Sequence, residues 1–596
     1  MRRALALAGV LAALGAGAAL PATAAAHATL EETTPGRGAV VADAPGSVAF
    51  RFDEPVSGTA GAVRVFDRGG AEVQQGRASA PGSDASVIAV RLRGGLGDGT
   101  YTATYRVVSA DGHVISGGST FSIGTESATS ATVGELLDRD RAGPAVATGL
   151  DVARGVQYAA IAVGTGALAF LALVWLPALV RVAGGGDAWR LAADAFARRL
   201  LTLLLVTASL GALSAAAAIV LQAATAAGSS PPAAIRDGAL GDALGTRFGE
   251  AWAAGLLCWM VFAAGVALML RPAAERARLR PATLGAAGLA VPRLPARGLV
   301  AAVPALALLL LPALGGHAGS LDPVEVLVPA SALHVAAAAV WVGGIACLLV
   351  PLRAATGRLE PADRTRLLME TLARFSGLAL IAVVALALSG VVQAIGLLDG
   401  LDGLLSTAYG RLVLVKAGLL VALAGLGALQ RRRVMPGLRA ASAGGDPPGD
   451  AGVRLRRVLW SETALLTGVF IVTAVLSGTA PAPAAQAGPV TREATVGPAR
   501  LQATVDPGSP GTNVIHLYLL DPRTGAPWNG AEEVGVRVRQ PELGIGPLRE
   551  RALRAGPGHY VVRGAQLGAP GDWQVDVAVR VSDFDEYTAK LEVPVR

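Results

Sequence analysis

The sequence predicts a multidomain membrane protein with an exported immunoglobulin-like β-sandwich, a bundle of eight membrane-spanning helices and a second exported β-sandwich. Three observations predict it. Residues 27–124 and 494–596 alternate between apolar and polar positions, as half-buried strands do. Residues 151–480 contain eight apolar segments, each long enough to cross a bilayer. The hydrophobic content is 53% and the charged content only 16%, whereas a soluble domain has about 25% charged residues.

The first 26 residues predict a secretory leader. Two arginines near the start precede an apolar run, and the segment ends in the small residues Ala24-Ala25-Ala26. Cleavage after Ala26 makes His27 the first residue of the mature chain. Both ends of the chain are therefore expected to be exported, if the number of spans is even.

Turn residues separate the short strands of the two alternating regions. In the first region, Val48, Phe50 and Phe52 share one face of a predicted strand. The second region has the same period over Val575, Val577 and their neighbours. The predicted parts of the chain are a leader (1–26), a first β-sandwich (27–124), a linker (125–150), a helical membrane domain (151–480), a second linker (481–493) and a second β-sandwich (494–596).

Arginines distinguish the two sides of the predicted membrane domain. Four alternate loops between the apolar segments contain 22 Arg together, and the other three contain 2. Because cytoplasmic loops carry the excess of positive charge, the Arg-rich loops are predicted to be cytoplasmic. This predicts a multi-pass protein of the plasma membrane with both termini outside. The predicted spans are 154–180, 200–226, 250–270, 299–315, 323–350, 375–396, 410–430 and 458–480.

Composition also excludes several classes of partner. The net charge of +7 comes from Arg beside apolar segments rather than from a basic soluble face, so nucleic acid is not expected. The sequence has no GxxxxGK[ST] loop, so no nucleotide is expected either. The only two cysteines, Cys258 and Cys347, lie inside apolar segments, which leaves the exported domains without a disulfide.

Three residues of the first sandwich predict a copper site. An N-terminal His27 offers its α-amine and its imidazole, and Asp111 and His113 add an oxygen and a third nitrogen. Three nitrogens and one oxygen in a plane suit Cu(II). The domain has no Met or Cys, so the soft ligands of Cu(I) are absent from it. The alternative is an ordinary Asp-Gly turn behind a leader that happens to end before a histidine.

The same stretches resemble the CopC copper-binding proteins. The resemblance covers nearly the whole first sandwich, and the motifs occur in order: His27-Ala28-Thr29-Leu30, Val48 to Val56, and Gly99 to Gly117. It implies that His27, Asp111 and His113 bind Cu(II), and that Glu54 orients the N-terminal ligand from behind. The Met-rich Cu(I) segment of some members is absent here.

The membrane domain contains its own candidate ligands. His317 is expected at the outer mouth between the fourth and fifth spans, and His334 about 16 Å into the fifth span at 1.5 Å per residue. Cys258 and Met260, in the third span, are expected at a similar depth, where an imidazole, a thiol and a thioether would suit Cu(I). The alternative is that the sulfur side chains only fill space between helices. Trp341 to Gly344 predicts close helix packing rather than a binding site.

The membrane domain and the second sandwich also resemble known families. Residues 150–480 are similar to the membrane protein CopD, on the residues Gly315 to Ala318, Leu333 to Gly344, Phe375-Ser376, Ser389-Gly390, Thr407 to Arg411 and Lys416. That similarity implies copper movement, usually uptake, or copper tolerance. Residues 494–596 resemble YtkA-like exported domains, on Pro507-Gly508, Asn513 and Gly571 to Val575. The histidines of this last domain, His516 and His559, are predicted at the surface or on an edge strand.

Together these features favour a copper-binding membrane protein, not an enzyme, that captures Cu(II) outside and moves copper inward or confers copper tolerance. Its partners are expected to be copper ions, the lipid bilayer and other exported copper proteins. Three alternatives stay open. They are a copper-dependent oxidase or mono-oxygenase, a copper sensor without transport, and an electron carrier with haem between His317 and His334. The unequal depth of those two histidines disfavours the haem.

Overall fold

The structure is a computed structural model. It describes residues 28–595 with the exception of 29, 83, 111, 126, 128–132, 140, 185, 270–298, 322, 399–402, 406, 480–489, 507, 524 and 525. The predicted leader therefore lies outside the described residues, as does most of the predicted linker 481–493. By contact density the chain divides into two compact units.

The first unit described here is built around the two β-sandwiches and contains residues 27–146, 222–246 and 483–596. Its first sandwich has two four-stranded sheets, ordered β1-β3-β6-β5 and β2-β8-β7-β4. Alternation along the strands puts Phe50, Val65 and Ala103 into a core between these sheets. The strands are β1 (Leu30–Thr34), β2 (Val40–Val41), β3 (Ser47–Phe52), β4 (Ser57–Phe66), β5 (Gln74–Ser79), β6 (Val87–Leu92), β7 (Gly99–Val108) and β8 (Val114–Ile123).

The C-terminal part of the same unit is a second sandwich. One sheet has five strands, ordered β14-β15-β11-β10-β9, and the other has four, ordered β13-β12-β16-β17. Trp573, Val575 and Val577 point into its core, as their period of two predicts. The strands are β9 (Val490–Val496), β10 (Ala499–Asp506), β11 (Gly511–Leu520), β12 (Glu533–Gln540), β13 (Ile545–Arg551), β14 (Leu553–Gly556), β15 (His559–Leu567), β16 (Gly571–Arg580) and β17 (Glu586–Val595).

The other unit is helical and contains residues 147–221 and 247–482. The helices of the described residues, in order, are α1 (Val133–Arg139), α2 (Pro144–Phe170), α3 (Leu176–Val182), α4 (Asp187–Ala227), α5 (Pro231–Arg236), α6 (Ala239–Leu244), α7 (Arg247–Met269), α8 (Leu299–Leu314), α9 (Val324–Leu349), α10 (Pro351–Thr356), α11 (Pro361–Leu397), α12 (Ala408–Leu429), α13 (Met435–Gly444) and α14 (Gly449–Leu476). One π-helical turn, Leu171–Trp175, joins α2 to α3, and another, Gln430–Val434, joins α12 to α13. Helix α1 and the start of α2 occupy part of the predicted linker 125–150.

Seven helical stretches in the described part of the chain are long and apolar enough to cross a membrane. They correspond to all the predicted spans except the fourth, 299–315, where α8 has 16 residues. The residues just before α8 lie outside the described ones. The fold class is therefore confirmed: a β-sandwich, a helical apolar region and a second β-rich domain, with a helix count close to eight.

The Trp341 to Gly344 segment is a close helix contact, as predicted. A Cβ on Gly343 would overlap the backbone of Gly166 in α2, and one on Gly344 would overlap the ring of Phe375 in α11. Glycine is therefore required at both positions, because the helices approach at backbone distance.

Candidate metal centre

The hairpin turn between β7 and β8 positions His113. The strands pair up to Val108 and Val114, and the backbone N–H and the hydroxyl of Ser109 then donate to the His113 carbonyl at 2.9 and 3.1 Å. Gly112 has a φ of 88°, in the left-handed region that favours glycine, and its N–H donates to the Ser109 carbonyl at 3.0 Å. The turn is thus closed by its own hydrogen bonds, and both ring nitrogens of His113 are shielded from solvent.

Glu54 joins this turn to the first sheet. Its Oε1 accepts a hydrogen bond from the Ala110 N–H at 3.3 Å. Leu30, at the start of β1, pairs with Phe52, two residues before Glu54. The start of β1 and the 109–113 turn therefore lie at the same end of the sandwich. The predicted ligands His27 and Asp111 lie outside the described residues.

A residue that the sequence analysis did not single out also holds the turn. The Gln222 Nε2 donates to the Gly112 carbonyl at 2.7 Å, and Gln222 is only 2% exposed. Gly112 lies between the two predicted ligands Asp111 and His113. No sequence signal marks Gln222, because it is one of several polar residues in an otherwise apolar helix.

Within the helical unit, His334 is held by Ser389. The His334 Nδ1 lies 3.0 Å from the Ser389 hydroxyl, and Ser389 is 3% exposed. His317 lies in a short 3-10 turn, His317–Gly319, with its ring 6.5 Å from that of Tyr409 and nearly perpendicular to it.

The sulfur candidates do not converge on one point. Two residues apart on a helix is about 200°, so Cys258 and Met260 face opposite sides of α7. Cys258 packs against the helical core, whereas Met260 is 53% exposed. Among the described residues, no three His, Cys, Asp or Glu side chains lie close enough together to hold a metal ion.

Glu462 is a second residue absent from the sequence analysis. It lies on α14, inside an apolar helix, and is 2% exposed. Burying an ionisable residue inside an apolar helix costs free energy, so such residues are candidates for a functional role. His334 was selected because it is an ionisable residue inside a predicted span, and the same criterion would have identified Glu462.

The prediction for the histidines of the last domain was wrong. His516 and His559 lie on interior strands β11 and β15, are 5% and 1% exposed, and place His516 Nδ1 3.2 Å from His559 Nε2. The Tyr518 ring stacks on His559 at 4.2 Å. Burial, and then nearby positive charge, lowers the pKa of His516 to about 4 and that of His559 to about 3. Alternation alone could not reveal this, because it does not show which sheet face is covered by another domain.

These features define a multi-pass membrane protein whose sequence has one β-sandwich before its helical region and another after it. Residues 30–124 match the CopC domain family, and residues 369–476 match the family of copper resistance protein D, CopD. One polypeptide therefore contains a segment that matches the CopC domain and a segment that matches CopD.

One relative and two solved structures extend the comparison. The copper transport protein CutJ of Bacillus subtilis (strain 168) is 26% identical over 580 residues, covering 95% of each chain. CopC from Methylosinus trichosporium OB3b is 25% identical and covers 16% of this chain and 93% of its own, with a TM-score of 0.15. PcoC, a methionine-rich copper resistance protein from Escherichia coli, is 30% identical and covers 16% of this chain and 98% of its own, with a TM-score of 0.14.

Proposed function

We propose that this protein captures Cu(II) outside the plasma membrane with its first sandwich and moves copper inward through its helical domain. His27, with its α-amine and imidazole, Asp111 and His113 would bind Cu(II), and Glu54 would orient the N-terminal ligand from behind. The single observation that carries the proposal is the hydrogen bond from Ala110 to Glu54, because it ties the ligand-bearing turn to the end of the sandwich where β1 begins.

The membrane step would use Cu(I), which an external one-electron donor such as a small thiol would form from the captured Cu(II). The thiol of Cys258 is a soft ligand, and soft ligands suit Cu(I) rather than Cu(II). Because no described cluster of three ligands exists in the helices, the ion would pass between separate sites. His317 at the mouth, His334 in the span and Cys258 are the sites we propose, and the exposure of Met260 makes it the weakest candidate.

The direction of movement follows from the predicted topology. The Arg-rich loops would be cytoplasmic, which would place the predicted leader and both sandwiches outside. A Cu(II) site outside, followed by ligands within the helices, suits uptake. We also propose that residues 494–596 form a YtkA-like domain with a docking role.

The test of function is cellular copper content in cells with and without the protein, in copper-rich and copper-starved medium. We expect lower copper in starved cells that lack the protein. Higher copper in the same cells would reverse the direction, and equal copper with altered tolerance would support a sensor instead.

The test of the site is titration of the full-length, detergent-solubilised protein with Cu(II). His113→Ala removes one of three nitrogens, and we expect its affinity to fall by at least about tenfold. Gln566→Ala, a change of an exposed side chain in the second sandwich, is the control and should leave that affinity unchanged. An unaltered affinity in His113→Ala, or a mature chain that does not begin at His27 by mass spectrometry, would remove the proposed site.

A further inference from the structure

We propose that Ser389 is a positioning residue that fixes the tautomer of His334, so that Nδ1 carries the proton and Nε2 keeps its lone pair for a metal ion. The inference rests on the proposed role of His334 in copper movement. The hydrogen bonds of Ser389 are present whether or not His334 binds copper.

The hydroxyl of Ser389 has one proton, which it donates to a backbone carbonyl of its own helix. The Ser389 Oγ lies 2.6 Å from the Ala385 carbonyl oxygen, one helical turn earlier, and 3.3 Å from that of Leu386. A serine in a helix commonly donates to a carbonyl at this spacing. The short distance to Ala385 identifies that carbonyl as the acceptor.

The opposite assignment is unfavourable. If Ser389 donated to His334 instead, its oxygen would lie 2.6 Å from the Ala385 oxygen with no proton between them. Two oxygens at hydrogen-bond distance without a proton repel each other, and Ser389 is buried where water cannot relieve this. The Ser389 oxygen must therefore accept, and His334 Nδ1, 3.0 Å away, must donate.

This assignment decides which ring nitrogen of His334 can bind a metal ion. A neutral ring whose Nδ1 is protonated has an unprotonated Nε2, which is the form that binds a metal. Histidine ligands in metal sites are oriented in this way by an acceptor behind the ring. Gly390 lies beside the ring, and a Cβ there would lie 3.6 Å from Cε1, which is an ordinary contact.

The direct test is ¹⁵N NMR of the full-length protein, labelled at histidine, in lipid nanodiscs at neutral pH and without metal. The His334 signals are assigned by their loss in His334→Gln. We expect a protonated Nδ1 and an unprotonated Nε2. Ser389→Ala removes the hydroxyl that lies 3.0 Å from Nδ1, so the tautomers should become mixed. A protonated Nε2 in the wild type, or no change in Ser389→Ala, overturns the proposal.

The second test is Cu(I) affinity, measured by competition with a chromophoric chelator under reducing conditions. Ser389→Ala should weaken binding at His334 by about 10- to 100-fold. Ser389→Thr keeps the hydroxyl and can donate to the carbonyl four residues earlier, as Thr165 donates to Ile161, and it should restore the affinity. Gly390→Ala, the matched control beside the ring, should have no effect.

The two proposals fail differently. If His334→Gln leaves Cu(I) binding unchanged, His334 is not on the copper path, although the tautomer measured by NMR still stands. If His334→Gln abolishes binding and Ser389→Ala does not weaken it, the proposed function survives and the role of Ser389 is rejected.

Discussion

Gln222 and Gly112 are 110 residues apart in sequence, yet one buried hydrogen bond joins them. The Gly112 carbonyl belongs to the turn that presents His113, so this bond restrains the peptide next to a proposed ligand. A buried carbonyl that loses its donor is destabilised, because no water replaces the lost partner.

We expect Gln222→Leu, which keeps the size of the side chain and removes its donor, to loosen the turn. The loss of about 1 kcal/mol corresponds to a Cu(II) affinity lowered about fivefold. Isothermal titration of the full-length protein measures it. Gln566→Leu removes an exposed amide from the second sandwich and should not change the affinity.

The residues of the site differ in how far the sequence could predict them. His113 and Glu54 lie at one end of the sandwich because their motif positions follow strands, and strand order brings those ends together. Gln222 could not be predicted, since its contact depends on how a helix end packs against a hairpin. The histidine tautomer needed the distance from Ser389 to Ala385, which no spacing in the sequence contains.

At the scale of helices, the contact of α2 with α9 depends on glycine. A Cβ on Gly343 would meet the backbone of Gly166 and Ala167, which cannot rotate away as a side chain can. The two helices would have to separate, and the packing between them would be lost along the whole contact.

Gly343→Ala should therefore destabilise the helical unit by about 1–3 kcal/mol. Gly418→Ala is the matched control, because nothing lies within 4 Å of a Cβ at that position. It should be neutral or stabilise its helix by up to about 1 kcal/mol. Thermal unfolding of both variants in the same detergent measures the difference, and equal melting temperatures would show that α2 and α9 do not need their close contact.

The helices also show what hydropathy can and cannot predict. Apolar runs located the helices that are long enough to cross a membrane, because lipid excludes charge. They did not locate the helix ends: α11 begins at Pro361, whereas the predicted span began at 375. Its first turns are polar and helical, and hydropathy detects only the part that lies in lipid.

For the molecule as a whole, the buried face of β10, β11 and β15 makes the sandwich unit sensitive to acid. His516 is close to Gly38 of the first sandwich, 3.5 Å from the position of a Cβ there. Tyr518, Arg563 and His559 face it from its own sheet. Nearby, burial raises the pKa of Asp506 to about 6, against the opposing effects of Arg37 and the Thr120 backbone.

We expect the stability of this unit to fall as the pH is lowered from about 6.5 toward 4. The folded histidines have pKa values near 4 and 3, so in this range the unfolded chain binds protons that the folded one does not. At about 1.4 kcal/mol per pKa unit, the loss amounts to a few kcal/mol. Hydrogen exchange of β11 and β15 in the full-length protein measures it.

The carboxyl group acts in the opposite sense. The pKa of Asp506 is raised on folding, so its contribution to stability is present below about pH 4 and is lost as the pH rises through 6. Asp506→Asn should therefore steepen the acid dependence, and His516→Gln combined with His559→Gln should flatten or reverse it. An unchanged pH profile in the double histidine variant would contradict the assignment.

The sandwich unit is drawn from three separate stretches of the polypeptide, 27–146, 222–246 and 483–596. A ribosome adds about 5–20 residues per second, so the first sandwich waits roughly 20–90 seconds for the strands that cover it. During that interval the loop at Gly38 has no cover from His516. We expect newly made chains to need a chaperone over this period, and chains truncated before residue 483 to be degraded.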